Sequence, residues 1–288
     1  MNDYYLNIVV MTFLWAALSG AWNLMAGYGG LVSLGQSAFF GIGAYATAVL
    51  YATFGISPWI GLVVGVITTT STAVLISWPC FRLRGAFFSL ATLVFPIVME
   101  IVANNWTDVT RGSTGIALPF KPALGNFIFQ SRWAYMAAAF VLMMLVYGIT
   151  RWLHRGRLGL YLIAVRDDQD AAESMGVEPV RVKLIITMIS AALTSLGGFL
   201  YAQYILFLDP PSVFSISISV QIALFSLIGG LGTPIGPIVG SLIMTPLDGV
   251  LSTFLGGGPR LLIYGAVLLG VVLLAPHGVV GAIRARRK

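Results

Sequence analysis

Apolar stretches of about twenty residues, each long enough to cross a lipid bilayer as a helix, recur along this chain of 288 residues. Most are uninterrupted, and they cover 4–25, 58–80, 85–102, 133–153, 182–207 and 261–276. Two longer regions, 27–51 and 218–255, contain glycine and proline, and the second has room for two crossings broken near 229–237. The sequence therefore predicts an all-α polytopic membrane protein with about eight transmembrane helices, including Gly/Pro-broken segments, in a single domain over residues 1–288.

The composition also requires a membrane as the solvent. Hydrophobic residues make up 58% of the chain and charged residues 9%, with a mean hydropathy of +0.92. Soluble domains carry about a quarter charged residues, and a chain of 30.8 kDa cannot hide this much apolar surface in its own core. These values exclude a soluble enzyme, a nucleic-acid-binding domain and a secreted disulfide scaffold. The single cysteine, Cys80, and two histidines leave little material for a metal site.

Basic residues orient the predicted helices, because cytoplasmic loops of membrane proteins are enriched in lysine and arginine. The segment after 133–153 and the C-terminal tail carry most of them, and counting crossings backwards puts Arg82 and Arg84 on the same side. This pattern predicts a cytoplasmic C-terminus, a cytoplasmic loop over 154–181, an N-terminus on the outer side and an outer loop over 103–131. The net charge of +6 then reflects cytoplasmic loops rather than a nucleic-acid partner.

The cytoplasmic loop has the clearest local pattern. Asp167 or Asp168 is a suitable N-cap and Gly176 a suitable residue after the last turn, which predicts a short helix over about 167–175. One face of this helix carries Ala164, Ala171, Ala172 and Met175, and the opposite face carries Arg166 and the acidic residues. A helix this short has only marginal stability by itself in water. It either lies on its own membrane domain or docks a cytoplasmic partner.

Glycine and polar residues mark two membrane segments as candidates for a transport pathway. Broken helices at membrane depth are tolerated where they are buried in protein or line a cavity, and such breaks in both halves of a transporter indicate its pathway. The candidate pathway residues are Ser33, Gly35, Gln36, Ser37, Gly229, Gly230, Gly232 and Asp248. Ordinary helix packing is the alternative for the glycines. An interfacial position is the alternative for the carboxylate of Asp248 and is favoured for Glu100.

Three stretches stand out, in chain order NLMAGYGGLVSLGQSAFFGIGAY at 23–45, RDDQDAAESMG at 166–176 and IGGLGTPIGPIVG at 228–240. They resemble the permeases of branched-chain amino acid ABC importers, and more specifically their LivM-type subunit. The stretches at 82–85 and 276–278 also fit, so the resemblance covers nearly the whole chain. Many members of the family carry histidine where this chain has Gln36. The chain thus lacks a titratable group at that position, and the cargo stays open.

The resemblance implies a permease subunit in the bacterial inner membrane that works with separate chains. These are a second, LivH-type permease subunit, two ATP-binding subunits and a periplasmic substrate-binding protein. ATP and magnesium would bind to the partner subunits, and no cofactor is expected on this chain, whose sequence lacks a Gly-Lys phosphate loop. The short inner helix would be the coupling helix, and the N-terminus and the 103–131 loop would be periplasmic. The coupling residues carried over are Arg166, Asp167, Asp168, Asp170, Ala171, Ala172, Glu173 and Gly176.

The cargo implied by the resemblance is a branched-chain or other small neutral or hydrophobic amino acid, and the alternatives within the family are urea, amides or aromatic acids. A stand-alone ion-coupled carrier is a different class, which would need paired ionisable groups inside the membrane. A membrane-embedded enzyme comes third, because the sequence offers no paired acid–base motif. The acidic inner helix favours the first interpretation, since a solitary carrier needs no docking site.

Overall fold

The computed structural model of the chain describes residues 2–81, 83, 85–254, 270 and 278–285. Seven helical segments in this part are long and apolar enough to cross a membrane, which confirms the predicted all-α polytopic class. They are Tyr4–Tyr28, Gln36–Phe54, Pro58–Cys80, Ala86–Asn105, Arg132–Arg155, Pro179–Ile205 and Pro210–Gly229. The predicted crossing at 261–276 lies outside the described residues, as do Arg82, Arg84 and the basic residues at 286–288.

The long helices alternate with short connecting elements. The long helices are α1 (Asn2–Asn23), α2 (Gln36–Phe54), α3 (Pro58–Cys80), α4 (Ala86–Asn105), α6 (Arg132–Arg155), α9 (Pro179–Ile205), α11 (Ile216–Gly229) and α12 (Gly236–Phe254). The shorter helices are α5 (Thr107–Thr110), α7 (Arg157–Asp167), α8 (Gln169–Ser174), α10 (Pro210–Phe214) and α13 (Gly278–Ala285). A π-helical turn covers Leu24–Tyr28, 3-10 turns cover Gly112–Thr114 and Leu124–Asn126, and two short strands are β1 (Ile116–Ala117) and β2 (Phe207–Leu208).

Both regions that carry glycine and proline in the sequence are broken in the structure. The region over 27–51 is not one helix, because the π-helical turn ends α1 and a non-helical segment over 29–35 precedes α2. The region over 218–255 breaks within the predicted interval, where α11 ends at Gly229 and α12 begins at Gly236. The uninterrupted run over 58–80 forms α3 with the same bounds. Proline suits the first helical position, because a backbone N–H there would have no partner within the helix and proline has no N–H.

Helices α1, α2 and α9 form the centre of the bundle, and close backbone contacts hold them together. A methyl group added at Gly198 of α9 would overlap the carbonyl oxygen of Phe40 in α2, and one added at Gly43 would lie 2.5 Å from the carbonyl oxygen of Ser195. Such glycines allow helices to approach closely in a membrane, where apolar burial against lipid gives no net gain. By contrast, only 28% of the apolar windows of α3 and α4 is buried, against 72% for the first span. Their outward faces are open to lipid or to another subunit.

The bundle has two distinct ends. At one end β1 pairs with β2, the Tyr51 hydroxyl donates to the carbonyl of Pro119 at 3.3 Å, and the Tyr204 hydroxyl donates to Asn7 Oδ1 at 2.7 Å. The start of α1 and the 103–131 loop therefore share an end. Helices α7 and α8 lie at the opposite end, where Gly278 at the start of α13 packs against Gly230. The 103–131 loop and the 154–181 loop therefore lie at opposite ends of the bundle, and which end faces the cytoplasm stays a prediction.

Candidate functional site

The inner loop folds as two helices rather than one. Helix α7 runs to Asp167, and Asp168 then leaves the helical region with φ −152° and ψ 107°. The Asp168 carboxylate accepts hydrogen bonds from the backbone N–H groups of Asp170 and Ala171, each at 3.0 Å, so Asp168 is the N-cap of α8. The chain leaves the loop through Gly176, whose φ of +86° suits glycine. The predicted helix over about 167–175 is thus α8, with the last turn of α7 before it.

The surface of α8 is largely free of contact with the membrane domain. Of the four residues predicted to share an apolar face, Ala172 is buried, whereas Ala164, Ala171 and Met175 are exposed, Met175 to 85%. The four residues do not share the face of one helix, because the chain turns at Asp168 and separates Ala164 on α7 from the others. Glu173 is exposed beside these residues. The resulting surface combines small, apolar and acidic side chains.

Two open cavities flank this exposed surface. One of about 430 Å³ lies between Leu158 of α7, Met175 and Arg181. The other, of about 620 Å³, lies between Trp78 of α3 and Val180 of α9. Both have mixed apolar and charged linings at the inner end of the bundle, which is the kind of surface that another protein chain can fill.

The inner loop is attached to the membrane domain by apolar side chains of α7 and by the side chain of Lys183. Leu162 and Val165 of α7 are buried, and the Lys183 ammonium of α9 donates to the Gln169 side-chain oxygen at 2.7 Å. These contacts fix α7 and the first turn of α8 on the end of α9, so that motion of the loop and motion of α9 are not independent.

The Arg166 guanidinium reaches the membrane domain, which the helical pattern does not predict, although 39% of its side chain stays exposed. Its Nη1 donates to the carbonyl oxygen of Gly27 at 2.9 Å, and its Nε and Nη2 bond Asp167 Oδ1 at 3.1 and 3.0 Å. Gly27 belongs to the π-helical turn at the end of α1. The helical pattern failed here because the reach of an arginine side chain lets its head leave the face on which its Cα lies.

Ala21, Trp22 and Asn23 follow one another at the end of α1, and each forms hydrogen bonds to a different element. The carbonyl of Ala21 accepts from the Ser190 hydroxyl of α9 at 2.7 Å, and the Trp22 indole N–H donates to the carbonyl of Ser33 at 2.7 Å. The Asn23 amide bridges to the other glycine-rich segment. Its Oδ1 accepts from the backbone N–H of Gly232 at 2.8 Å and its Nδ2 donates to the carbonyl of Thr233 at 3.0 Å.

The two glycine-rich segments therefore meet at the inner end of the bundle. A methyl group at Gly27 would lie 2.5 Å from the backbone nitrogen of Gly232, so only glycine permits this approach. We call the contact set of Asn23, Gly27, Arg166 and Gly232 the inner junction. It connects the inner loop, the turn after α1 and the turn between α11 and α12.

The non-helical segment over 29–35 is held by side chains from neighbouring helices. The Leu34 N–H donates to the Thr92 hydroxyl at 3.1 Å, and the Ser89 hydroxyl donates to the Val32 carbonyl at 2.6 Å, both from α4. Ser33 is buried, and its hydroxyl accepts from the N–H of Gly35 at 3.1 Å. These bonds satisfy backbone groups that a helix would otherwise pair, as irregular backbone at membrane depth requires.

Gln36 and Ser37, at the start of α2, are fully buried between helices. Gln36 Nε2 donates to the hydroxyls of Ser190 at 3.1 Å and Thr194 at 2.5 Å, whereas Gln36 Oε1 is buried and has no hydrogen-bond partner in the part of the chain that the structure describes. The N–H of Ser37 donates to the Ser219 hydroxyl of α11 at 2.8 Å. Of the candidate pathway residues, these two thus sit in a polar cluster shared by α2, α9 and α11.

The remaining candidates are distributed over both ends of the bundle. Gly229 and Gly230 are buried at the inner end, next to Gly232 of the inner junction. Asp248 is half-buried on α12, beside Gly249, whose carbonyl accepts from the Tyr4 hydroxyl at the start of α1. Asp248 therefore lies towards the outer end, and the structure does not bring it to the glycine turn. Glu100 is half-buried within the last two turns of α4.

Sequence reasoning missed several polar residues of this arrangement. Asn23, Thr92, Ser190, Thr194 and Ser219 all contribute bonds to the segments singled out as a pathway. The spacing of Thr187, Ser190 and Thr194 along α9 was a usable signal, because three and four residues apart they share one helix face. No comparable local pattern marks Asn23.

Together these features define a polytopic helical membrane protein whose inner end joins an exposed two-helix loop to two broken membrane segments. Comparison with known proteins gives the family. The profile described as branched-chain amino acid transport system / permease component matches residues 4–275. The chain belongs to this family of ABC transporter permeases, and it is a transport component rather than an enzyme.

The similar proteins include permeases named LivM and permeases named LivH. The chain is 27% identical to the high-affinity branched-chain amino acid transport system permease protein LivM of Salmonella typhimurium, over 98% of this chain and 71% of that protein. Identity to the LivM protein of Escherichia coli is 26% with the same coverage. A probable branched-chain amino acid transport permease protein LivH of Methanocaldococcus jannaschii is 26% identical, over 85% of this chain and 82% of that protein. No solved structure gives a significant match.

Proposed function

We propose that this chain is the LivM-type permease subunit of a bacterial importer for branched-chain or other small neutral or hydrophobic amino acids. It forms half of the translocation pathway with a LivH-type subunit, and two separate ATP-binding subunits drive it. A periplasmic binding protein delivers the cargo. The family match supports the permease role, and the similarity to both LivM and LivH proteins supports a complex of two related permeases.

The observation that carries this proposal is the exposed surface of α8. Ala171, Glu173 and Met175 are exposed at the inner end of the bundle, while Asp168 and Lys183 fix the helix in place. A helix that is held in place and exposes acidic and apolar side chains is suited to bind a large soluble subunit. The loop then lies in the cytoplasm, and the start of α1 lies in the periplasm.

The described part of the chain gives little support to an ion-coupled carrier. Its buried polar side chains are hydroxyls and amides, with Lys183 as the charged member. Lys183 lies in the first turns of α9 and bonds Gln169 of the inner loop. A proton- or ion-driven pathway would call for carboxylates in the bundle interior.

The docking role is tested by reversing two charges on α8. We expect the double variant Asp168→Lys with Glu173→Lys to lose the ATP-binding subunits when the complex is purified in mild detergent, with the membrane domain still folded. Because Asp168 also caps α8, Asp168→Ser is the matched control, since serine keeps a capping oxygen and removes the charge. Wild-type recovery of ATP-binding subunits, and wild-type uptake of radiolabelled leucine by the double variant, would contradict the proposal.

The pathway role of the buried polar cluster is tested at Gln36. Its Oε1 is buried with no partner among the described residues, and a buried unpaired oxygen is costly unless a water molecule or a passing polar group pairs with it. We expect Gln36→Leu to lower leucine uptake severalfold while assembly is unchanged, because Ser190 and Thr194 keep their bonds to the carbonyls of Ala21 and Ser190. Thr47→Val is the matched control, since Thr47 is equally buried in α2 and bonds only within its own helix. Unchanged uptake in Gln36→Leu would remove this residue from the pathway.

A further inference from the structure

Arg166 is the point at which the exposed loop reaches the broken end of α1. Its guanidinium donates to the Gly27 carbonyl, and its aliphatic stem lies over Gly30, where an added methyl group would be 2.6 Å from Arg166 Cγ. Gly30 has a φ of +66°, so both space and backbone conformation favour glycine there. The head and the stem of one side chain thus contact two residues of the same broken segment.

The chemistry of this contact suits arginine. The planar guanidinium has five N–H donors in a fixed arrangement, so it can serve two acceptors at once. Here it serves the Gly27 carbonyl on one side and the Asp167 carboxylate on the other. Asp167, at the end of α7, therefore holds the guanidinium in the direction of Gly27, and a displacement of α7 is passed to the turn after α1.

Gly27 transmits the contact further, because its other side touches the second glycine-rich segment. The Asn23 amide and the close approach of Gly27 to Gly232 tie the turn after α1 to the turn between α11 and α12. A continuous set of contacts thus runs from α7 through Arg166, Gly27 and Asn23 to Gly232. Contiguous hydrogen bonds and packed backbone of this kind are the physical means by which distant sites influence one another.

We infer that Arg166 is a positioning residue inside the permease. It transmits the movement of α7 and α8 to the two glycine-rich segments, and it is not part of the surface that binds the ATP-binding subunit. This inference rests on the proposed function, because it supposes that ATP turnover moves the inner loop. It differs from that function in assigning Arg166 an internal contact rather than a docking contact.

The test uses the whole complex and needs no knowledge of the cargo. Amide hydrogen exchange is measured by mass spectrometry over 24–35 and 229–236, without nucleotide and after trapping with ATP and vanadate. We expect trapping to change exchange in both segments of the wild type. In Arg166→Ala this change falls severalfold, because the lost charge-assisted hydrogen bond is partly buried and changes an equilibrium constant by up to about a factor of ten. The ATP-binding subunits stay bound, and ATP turnover continues.

Two further variants distinguish transmission from general loss of structure. Arg166→Lys keeps one donor for the Gly27 carbonyl but cannot serve Asp167 in the same geometry, and we expect it to recover part of the response. Arg157→Ala, an exposed arginine at the other end of α7, is expected to behave as the wild type. A structural role alone would lower exchange protection equally with and without nucleotide.

The other possible results decide whether the inference or the proposed function fails. A full nucleotide-dependent change in Arg166→Ala, or no change in the wild type over 24–35, would overturn the inference. Loss of the ATP-binding subunits from Arg166→Ala alone would make Arg166 a docking residue and overturn the inference while the proposed function stands. Failure of the wild-type chain to co-purify with any ATP-binding subunit would instead refute the proposed function.

Discussion

Gly29-Gly30-Leu31 and Gly229-Gly230-Leu231 have the same sequence, yet the chain continues differently after each. After Gly29 the backbone stays non-helical until Gln36, and side chains of α1 and α4 form hydrogen bonds to it. After Gly229 the chain makes a tight turn and re-enters a helix at Gly236. There Thr233 bonds the Gly230 carbonyl and the Gly236 N–H through its own hydroxyl.

The difference lies in what the glycines make possible. In the first segment they leave room for other groups, such as the stem of Arg166 over Gly30. In the second they let two helices touch, since a methyl group at Gly229 would overlap the Gly236 carbonyl and one at Gly240 would overlap the Phe225 carbonyl. The first segment is therefore held mainly by side chains of α1 and α4, whereas the second, besides its bonds to Asn23, depends on close backbone contact between α11 and α12.

The largest effect is expected from Gly229→Ala. The added methyl group meets backbone atoms of Gly236 and Gly240, which cannot move without separating α11 from α12. We expect a loss of about 3 kcal/mol in stability, at the upper end of the usual cost of overpacking, measured as a lower melting temperature of the purified complex in detergent. Gly148→Ala in α6, where nothing lies within 4 Å, is the control and is expected to be neutral or slightly stabilising. An unchanged melting temperature in Gly229→Ala would show that the second segment is not held by backbone contact.

A smaller effect is expected from Asn23→Ala, which removes the bridge between the segments. Two hydrogen bonds are lost, and the Gly232 N–H and the Thr233 carbonyl lose their partner side chain. We expect a cost of about 1–3 kcal/mol and faster amide exchange in both segments. The control is Asn7→Ala, which removes one half-buried bond to Tyr204 at the other end of the same helix. Faster exchange in only one segment would mean that the two are not tied together at Asn23.

The smallest effect is expected from Trp22→Phe, which removes one bond to the first segment alone. The Ser33 carbonyl loses the indole N–H, at a cost of about 0.5–1.5 kcal/mol. Exchange should rise over 32–36 and stay unchanged over 230–236. Trp15→Phe is the control for the exchange of an indole for a smaller ring, because the contact of Trp15 is edge-on packing against Phe225. If both segments respond equally to Trp22→Phe, the distinction between them fails.

The sequence predicts elements that depend on local pattern and misses contacts that depend on the whole fold. The bounds of α3 follow from an apolar run that begins at Pro58, and the cap at Asp168 follows from its place before α8. The inward direction of Arg166 depends on where Gly27 lies, 139 residues away. No pattern in the sequence around Arg166 indicates that Gly27 lies within reach of its side chain. The functional roles of the coupling and pathway residues stay predictions.

The bridge at Asn23 also bears on how the chain is made. Helix α1 is synthesised first, but the partners of Asn23 at Gly232 and Thr233 are 209 and 210 residues further along. During synthesis the Asn23 amide therefore lacks its final partners, the Gly232 N–H and the Thr233 carbonyl, until most of the chain has been made.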